Sequence, residues 1–165
     1  MTSKFDLSED DAALAAAIVE LPEDIKLDAG DVGALFRGLC LGKNGVERNP
    51  ARYGEIFTLA ADLLEADPTG LKVVELKCRI QAVNGRRRVK GATRETHRAL
   101  AEELDSISDQ VHDLMDEEDQ STLRGEICYN QGIILRNLRE YAKAAKAQRL
   151  SSAYKGLAGD YPGQL

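Results

Sequence analysis

Apolar residues recur along this chain at steps of three and four, the spacing that places side chains on one face of an α-helix. The best-bounded segment begins at Asn49-Pro50, an N-cap followed by proline at the first helical position, and stops at Asp67-Pro68. The pattern predicts a helix over residues 50–66. Its apolar stripe consists of Tyr53, Ile56, Phe57, Ala60, Leu63 and Leu64.

Two helices are predicted before this segment, over residues 8–21 and 29–41, and four after it. The first of the four starts at Leu71 and is closed by Asn84-Gly85, a pair typical of helix ends. The next is capped by Thr93. Its narrow apolar seam has acidic flanks and consists of Leu100, Leu104, Ile107, Val111 and Leu114.

The last two helices are predicted over Leu123–Arg136 and over residues 139–158. The acidic run at residues 116–119 either ends the preceding helix or opens the first of these two. No segment alternates apolar and polar residues as a half-buried strand would. The sequence therefore predicts an all-α chain of about seven helices, forming a single domain over residues 1–165.

The composition agrees with a globular helical protein, because 43% of the 165 residues are hydrophobic, 30% are charged and none is Trp. No apolar run approaches the roughly 18–20 residues that span a bilayer, so no membrane association is expected. The N-terminus lacks the basic start and apolar stretch of a signal peptide. The three cysteines are widely spaced and are expected to be buried free thiols in the cytoplasm: Cys40, Cys78 and Cys128.

The net charge of −6 hides blocks of opposite sign. Residues 71–99 carry nine basic and two acidic side chains, whereas residues 100–120 carry nine acidic and no basic ones. Residues 121–165 are basic again, with seven basic and three acidic side chains. Such alternation is compatible with oppositely charged helices stacked beside one another, or with patches that face partners.

One helix pair carries a recognisable motif, Tyr129-Asn-Gln-Gly132 followed by Tyr141-x-x-Ala144. It resembles a tetratricopeptide repeat, best matched over residues 125–158, in which small residues let two antiparallel helices approach closely. Cys128 stands where the family commonly has tryptophan, and Gln148 and Ser151 replace an aromatic residue and an alanine. The resemblance implies antiparallel helix pairs stacked as a short right-handed superhelix.

Upstream of residue 125, the sequence resembles the repeat more weakly. Tyr53, His97 and Tyr141 lie 44 residues apart, and apolar positions coincide around them, as at Ile56 and Leu100. This spacing exceeds the standard unit of about 34 residues, and the excess falls in the loops. A plain helical bundle is therefore the alternative to a full repeat array.

The resemblance implies an adaptor or scaffold that binds another protein or a peptide segment in the groove of the repeat. In the matched unit the groove is expected to present Glu126, Tyr129, Ile133 and Arg136. Tyr and Arg are frequent binding hot spots. Alternatively, Tyr129 and Ile133 pack against the preceding helix pair.

Two further hypotheses come from the basic loop and from the apolar seam described above. The basic loop at residues 86–90 could contact nucleic acid or another anion, although no aromatic residue is interleaved for base stacking. Its basic side chains are Arg86, Arg87, Arg88 and Lys90. Alternatively, the acidic seam helix, Leu100–Leu114, could mediate self-association into a homo-oligomer.

No constellation of residues indicates an enzyme, so no catalytic residue, metal ligand or cofactor is predicted. The dipeptide His112-Asp113 occurs in metal-dependent phosphohydrolases, but such a site needs several histidines and this chain has one other, His97. Asp109 and His112 share a helix face, which is more often a solvated helix end than a metal site. The cysteines lack the close spacing of zinc ligands.

Overall fold

Five helices account for most of the residues that the computed structural model describes, which are 49–67 and 71–157. No strand occurs in these two ranges, so the all-α prediction is confirmed for them. The helices predicted over 8–21 and 29–41 lie outside the described residues. The chain divides into two compact units after Val89, and each is described by itself.

The first unit contains α1, Pro50–Ala66, and α2, Lys72–Arg86, packed as an antiparallel pair. The predicted start of α1 is confirmed, because the Asn49 side chain accepts a hydrogen bond from the Arg52 backbone N at 3.1 Å and Pro50 begins the helix. The pair closes over a core of large side chains. Fully buried are Tyr53, Ile56, Phe57, Leu76 and Ile80.

Two glycines allow α1 and α2 to approach closely. A Cβ atom added at Gly85 would lie 2.8 Å from the Gly54 backbone N and 2.9 Å from the Pro50 carbonyl oxygen. Added at Gly54, it would lie 2.9 Å from Cγ of Arg86. The backbones therefore meet at a distance that only glycine permits.

Beyond this crossing, a cluster of charges joins the two helices. Arg79 of α2 donates from Nε to Glu75 at 3.0 Å and from Nη1 to Asp62 of α1 at 3.4 Å, and it also pairs with Glu65. Glu75 is buried, and Lys72 Nζ lies 3.2 Å from it. The buried carboxylate thus has two basic partners, which offset its desolvation.

The second unit contains three helices: α3, Arg94–Val111; α4, Glu117–Asn137; and α5, Tyr141–Leu157. Helix α4 packs against both α3 and α5. Four seam residues of α3 are buried as predicted, namely Leu100, Leu104, Ile107 and Val111. From α4, Gln131 Nε2 also donates to Asp105 of α3 at 3.1 Å.

Several boundaries differ from the sequence prediction, and the last helix begins at Tyr141 rather than at residue 139. Gly85 does not end α2 but lies inside it, at the crossing with α1. Helix α3 ends at Val111, so Leu114 lies in the following turn and is half-buried. Asp116 caps α4 by accepting from the Asp119 backbone N at 3.0 Å, so the acidic run opens this helix before Leu123. Acidic side chains in a first turn are stabilised by the helix dipole.

Candidate partner-binding site

The four residues predicted to form a binding face all lie on α4. At about 100° per residue, Glu126, Tyr129, Ile133 and Arg136 fall within an arc of roughly 80°. Tyr129 is 43% exposed and Arg136 is exposed, whereas Glu126 and Ile133 are half-buried. They therefore form one partly accessible strip, called here the α4 face.

Helix α5 borders this strip. The Lys155 ammonium nitrogen lies 4.8 Å from the centre of the Tyr129 ring, within the range of a cation–π contact. A Cβ atom added at Gly132 would meet Cγ of Gln148 at 3.0 Å, so the two helices are close there. Tyr129 thus presents an accessible aromatic ring whose position is held by a lysine of the neighbouring helix.

Except for Tyr141, the motif residues outside the α4 face are structural. Asn130 is buried and donates from Nδ2 to the Glu126 carbonyl oxygen at 3.0 Å. Ala144 is buried on α5, while Tyr141 is the first residue of α5 and is 63% exposed. The small residues therefore pack the helix pair, and Tyr141 leaves most of its side chain accessible.

Ser151, which departs from the repeat pattern, has a defined role in this packing. Its buried hydroxyl donates to the Gly125 carbonyl oxygen of α4 at 2.9 Å. A Cβ atom added at Gly125 would lie 3.1 Å from Cγ of Lys155. Sequence reasoning missed both Ser151 and Lys155, because the only signal for either was its spacing within the predicted helix.

The two upstream anchor residues are buried, unlike Tyr141. Tyr53 is 1% exposed and donates from its hydroxyl to Gln81 Oε1 at 2.7 Å. His97 is 9% exposed in the first turns of α3. The 44-residue spacing therefore joins two core positions with one exposed position.

The predicted basic loop begins inside a helix. Arg86 is the last residue of α2, which corrects the expectation that residues 86–90 all lie in a loop. Arg87 and Arg88 both donate to Asn84 Oδ1, at 2.8 and 3.2 Å. The three arginines are half-buried and Lys90 is exposed. The four basic residues therefore lie together, but Arg87 and Arg88 make hydrogen bonds within their own segment.

An open cleft of about 780 Å³ adjoins this segment in the first unit. It is lined in part by Arg52, Glu55, Leu59 and Arg86. Arg52 is buried and donates from Nη1 to Glu55 at 3.0 Å, which places an ion pair in the cleft wall. No pattern in the sequence indicates this cleft, because its walls come from both helices of the pair.

The residues considered for metal or thiol chemistry do not form a metal-binding cluster in the described part of the chain. Among the described residues, no three His, Cys, Asp or Glu side chains cluster closely enough to hold a metal ion, and His112 is exposed at the end of α3. Cys78 and Cys128 are buried free thiols as predicted, and Cys40 lies outside the described residues. Burial raises the pKa of Cys128, and this effect outweighs the lowering by the nearby Arg124. The thiol is therefore a poor nucleophile at neutral pH.

Comparison with known proteins gives no relative: the chain matches no protein-family model, no curated protein and no solved structure. In the described part of the chain, no helix combines the length and apolar character needed to cross a membrane. The α4 face is therefore the feature from which a function can be inferred.

Proposed function

We propose that this protein is a non-catalytic adaptor or scaffold that binds a segment of another protein on the α4 face. The carrying observation is that Tyr129 and Arg136 are exposed within one narrow strip of α4. In this proposal α4 and α5 form one tetratricopeptide-like pair within a right-handed stack.

The composition of the face suits protein recognition. Tyr129 offers a large ring with a hydroxyl for hydrogen bonding, and Arg136 offers a planar guanidinium that binds carboxylates in a bidentate manner. Ile133 supplies half-buried apolar surface between them. Tyr and Arg are the residue types in which binding energy concentrates, so these two side chains are expected to dominate affinity.

The close packing of α4 on α5 supports a preorganised site. Gly125 and Gly132 both face α5 side chains, and Lys155 lies over the Tyr129 ring. A rigid face loses little conformational entropy when it binds. The cytoplasmic location belongs to the same proposal and is supported by the free thiols of Cys78 and Cys128.

The test is selection of binding peptides from a random displayed library on the full-length protein. The affinity of the selected peptides is then measured by calorimetry. We expect Tyr129→Ala/Arg136→Ala to weaken binding at least tenfold, because each hot-spot side chain is worth about 2 kcal/mol or more.

A matched control is available at Tyr141 and Arg98, which are exposed outside the α4 face. Tyr141→Ala/Arg98→Ala removes the same two residue types and should leave peptide affinity unchanged. Equal affinity of the selected peptides for wild type and the α4-face variant would show that the site lies elsewhere.

A further inference from the structure

Helix α5 presents a basic outer surface. Its residues, Tyr141–Leu157, include four basic side chains and no acidic one. Lys143, Lys146 and Arg149 are exposed, and Leu150 and Leu157 beside them are 39% and 75% exposed. The buried side of the same helix consists of Ala144, Ala147 and Ser151. We call the five exposed residues the α5 surface.

Helix α3 presents the opposite charge. Glu95, Glu102 and Asp109 are exposed and recur every seven residues, so they form one stripe along the helix. At about 100° per residue, this stripe lies roughly opposite the buried seam of Leu100, Leu104, Ile107 and Val111. We call these three acidic residues the α3 surface.

The two surfaces lie on the two helices that flank α4, since α4 packs against both α3 and α5. Across the described residues, no ion pair engages Lys146, Arg149, Glu102 or Asp109. The second unit therefore carries a positive surface on one flanking helix and a negative surface on the other. Lys143 lies 3.8 Å from Glu140, whereas Lys146 and Arg149 have no ion pair within the described residues.

We propose that the protein self-associates head to tail, with the α5 surface of one copy on the α3 surface of a second copy. Opposite potentials steer and align such contacts, and Leu150 and Leu157 add apolar area to them. A second copy fits because it carries an acidic stripe of matching helical form. The contact is heterologous, so each copy keeps one surface for a further copy.

None of the four residues of the α4 face belongs to either surface. Loss of peptide binding and loss of self-association can therefore be told apart. The experiment is sedimentation velocity of the full-length protein over a wide concentration range, at low salt and at about 1 M NaCl, where the Debye length is only about 3 Å.

Two charge-reversed variants and their combination test the contact. We expect Lys146→Glu/Arg149→Glu and Glu102→Lys/Asp109→Lys each to weaken self-association at least tenfold at low salt. The protein with all four substitutions should associate again, because both surfaces have exchanged sign. An equimolar mixture of the two double variants should associate as well. Circular dichroism confirms that each variant keeps its helices.

A control with the same change in net charge as Lys146→Glu/Arg149→Glu is Lys90→Glu/Arg94→Glu, at exposed positions outside both surfaces. It should associate at least as well as wild type. The proposal is overturned if wild type stays monomeric at low salt, or if the four-substitution protein fails to recover. It is also overturned if salt changes the hydrodynamic radius without changing the mass, since the α5 surface would then bind an acidic part of its own chain.

Discussion

Gly85 shows how much one hydrogen atom matters where two helices cross. In a Gly85→Ala protein the new methyl group would lie 2.8 Å from both the Gly54 backbone N and Cδ1 of Tyr53. Backbone atoms cannot swing aside as a flexible side chain can, so α1 and α2 must separate. We expect the free energy of unfolding to fall by about 3 kcal/mol, measured by urea unfolding followed by circular dichroism.

Gly125→Ala is the matched control for this prediction. It is also a buried helical glycine, but its new Cβ would meet Cγ of Lys155 at 3.1 Å, and that side chain can shift. Alanine gains about 1 kcal/mol of helix propensity over glycine, which offsets the crowding. The urea-unfolding midpoint of the Gly125→Ala protein should stay near that of wild type. Equal effects of the two substitutions would contradict the close crossing at Gly85.

Ser151 tests the hydrogen bond between α4 and α5. Ser151→Ala removes the hydroxyl that donates to the Gly125 carbonyl oxygen at 2.9 Å. We expect the free energy of unfolding to fall by about 1 kcal/mol, because this buried bond is lost without a replacement. Ser152→Ala, at the exposed neighbouring position, should be neutral or slightly stabilising through helix propensity. A Ser151→Ala protein as stable as wild type would argue against the bond.

At the scale of the helices, the charges around Arg79 join α1 to α2. Arg79→Met keeps much of the side-chain volume but leaves buried Glu75 with Lys72 as its remaining partner in this cluster. Removing one partner of a buried pair typically costs about 3–5 kcal/mol. Because Lys72 still compensates the carboxylate, we expect a loss of about 2 kcal/mol in urea unfolding.

The comparison for Arg79 is Lys77→Met on the same helix, since no ion pair engages Lys77 within the described residues. That change should leave the unfolding midpoint nearly unaltered. Adding Glu75→Gln to Arg79→Met should recover part of the lost stability, because the buried charge that Arg79 no longer balances is removed. If Arg79→Met and Lys77→Met behave alike, the charge cluster does not stabilise the pair.

Helix existence and caps could be predicted where the signal is local. Asn49 and Thr93 accept hydrogen bonds from the backbone at the predicted helix starts, and the α3 seam is buried at four of its five predicted positions. These features depend on residues within one or two turns of each other. The sequence therefore contains all the information that they need.

Features that depend on distant residues could not be predicted. A glycine that ends a helix and a glycine at a helix crossing look alike in sequence. The local pattern at Gly85 predicts a helix end, because its partner at the crossing, Gly54, lies in another helix. Lys155 was missed for the same reason, since only the packing of α5 on α4 brings it over Tyr129. Of the candidate site, the resemblance to a tetratricopeptide repeat supplied the four residues of the α4 face but not their neighbours on α5.

At the scale of the whole molecule, the charge blocks bear on the nucleic-acid alternative. The net charge is −6, and Arg87 and Arg88 donate to Asn84, which orients them locally. Phosphate binding needs several accessible basic groups and a favourable long-range potential. We therefore expect no binding of a labelled DNA or RNA oligonucleotide at physiological salt, measured by fluorescence anisotropy.

The same titration at low salt, where weak phosphate contacts are strongest, shows whether the basic segment can bind nucleic acid at all. Binding that falls steeply with added salt, and that is abolished by Arg87→Ala/Arg88→Ala/Lys90→Ala, would establish the basic segment as a phosphate-contacting site. Lys143→Ala/Lys146→Ala/Arg149→Ala removes the same number of charges from α5 and separates a specific site from general attraction. If both triple variants weaken binding equally, the interaction reflects net charge alone, and residues 86–90 hold no special role.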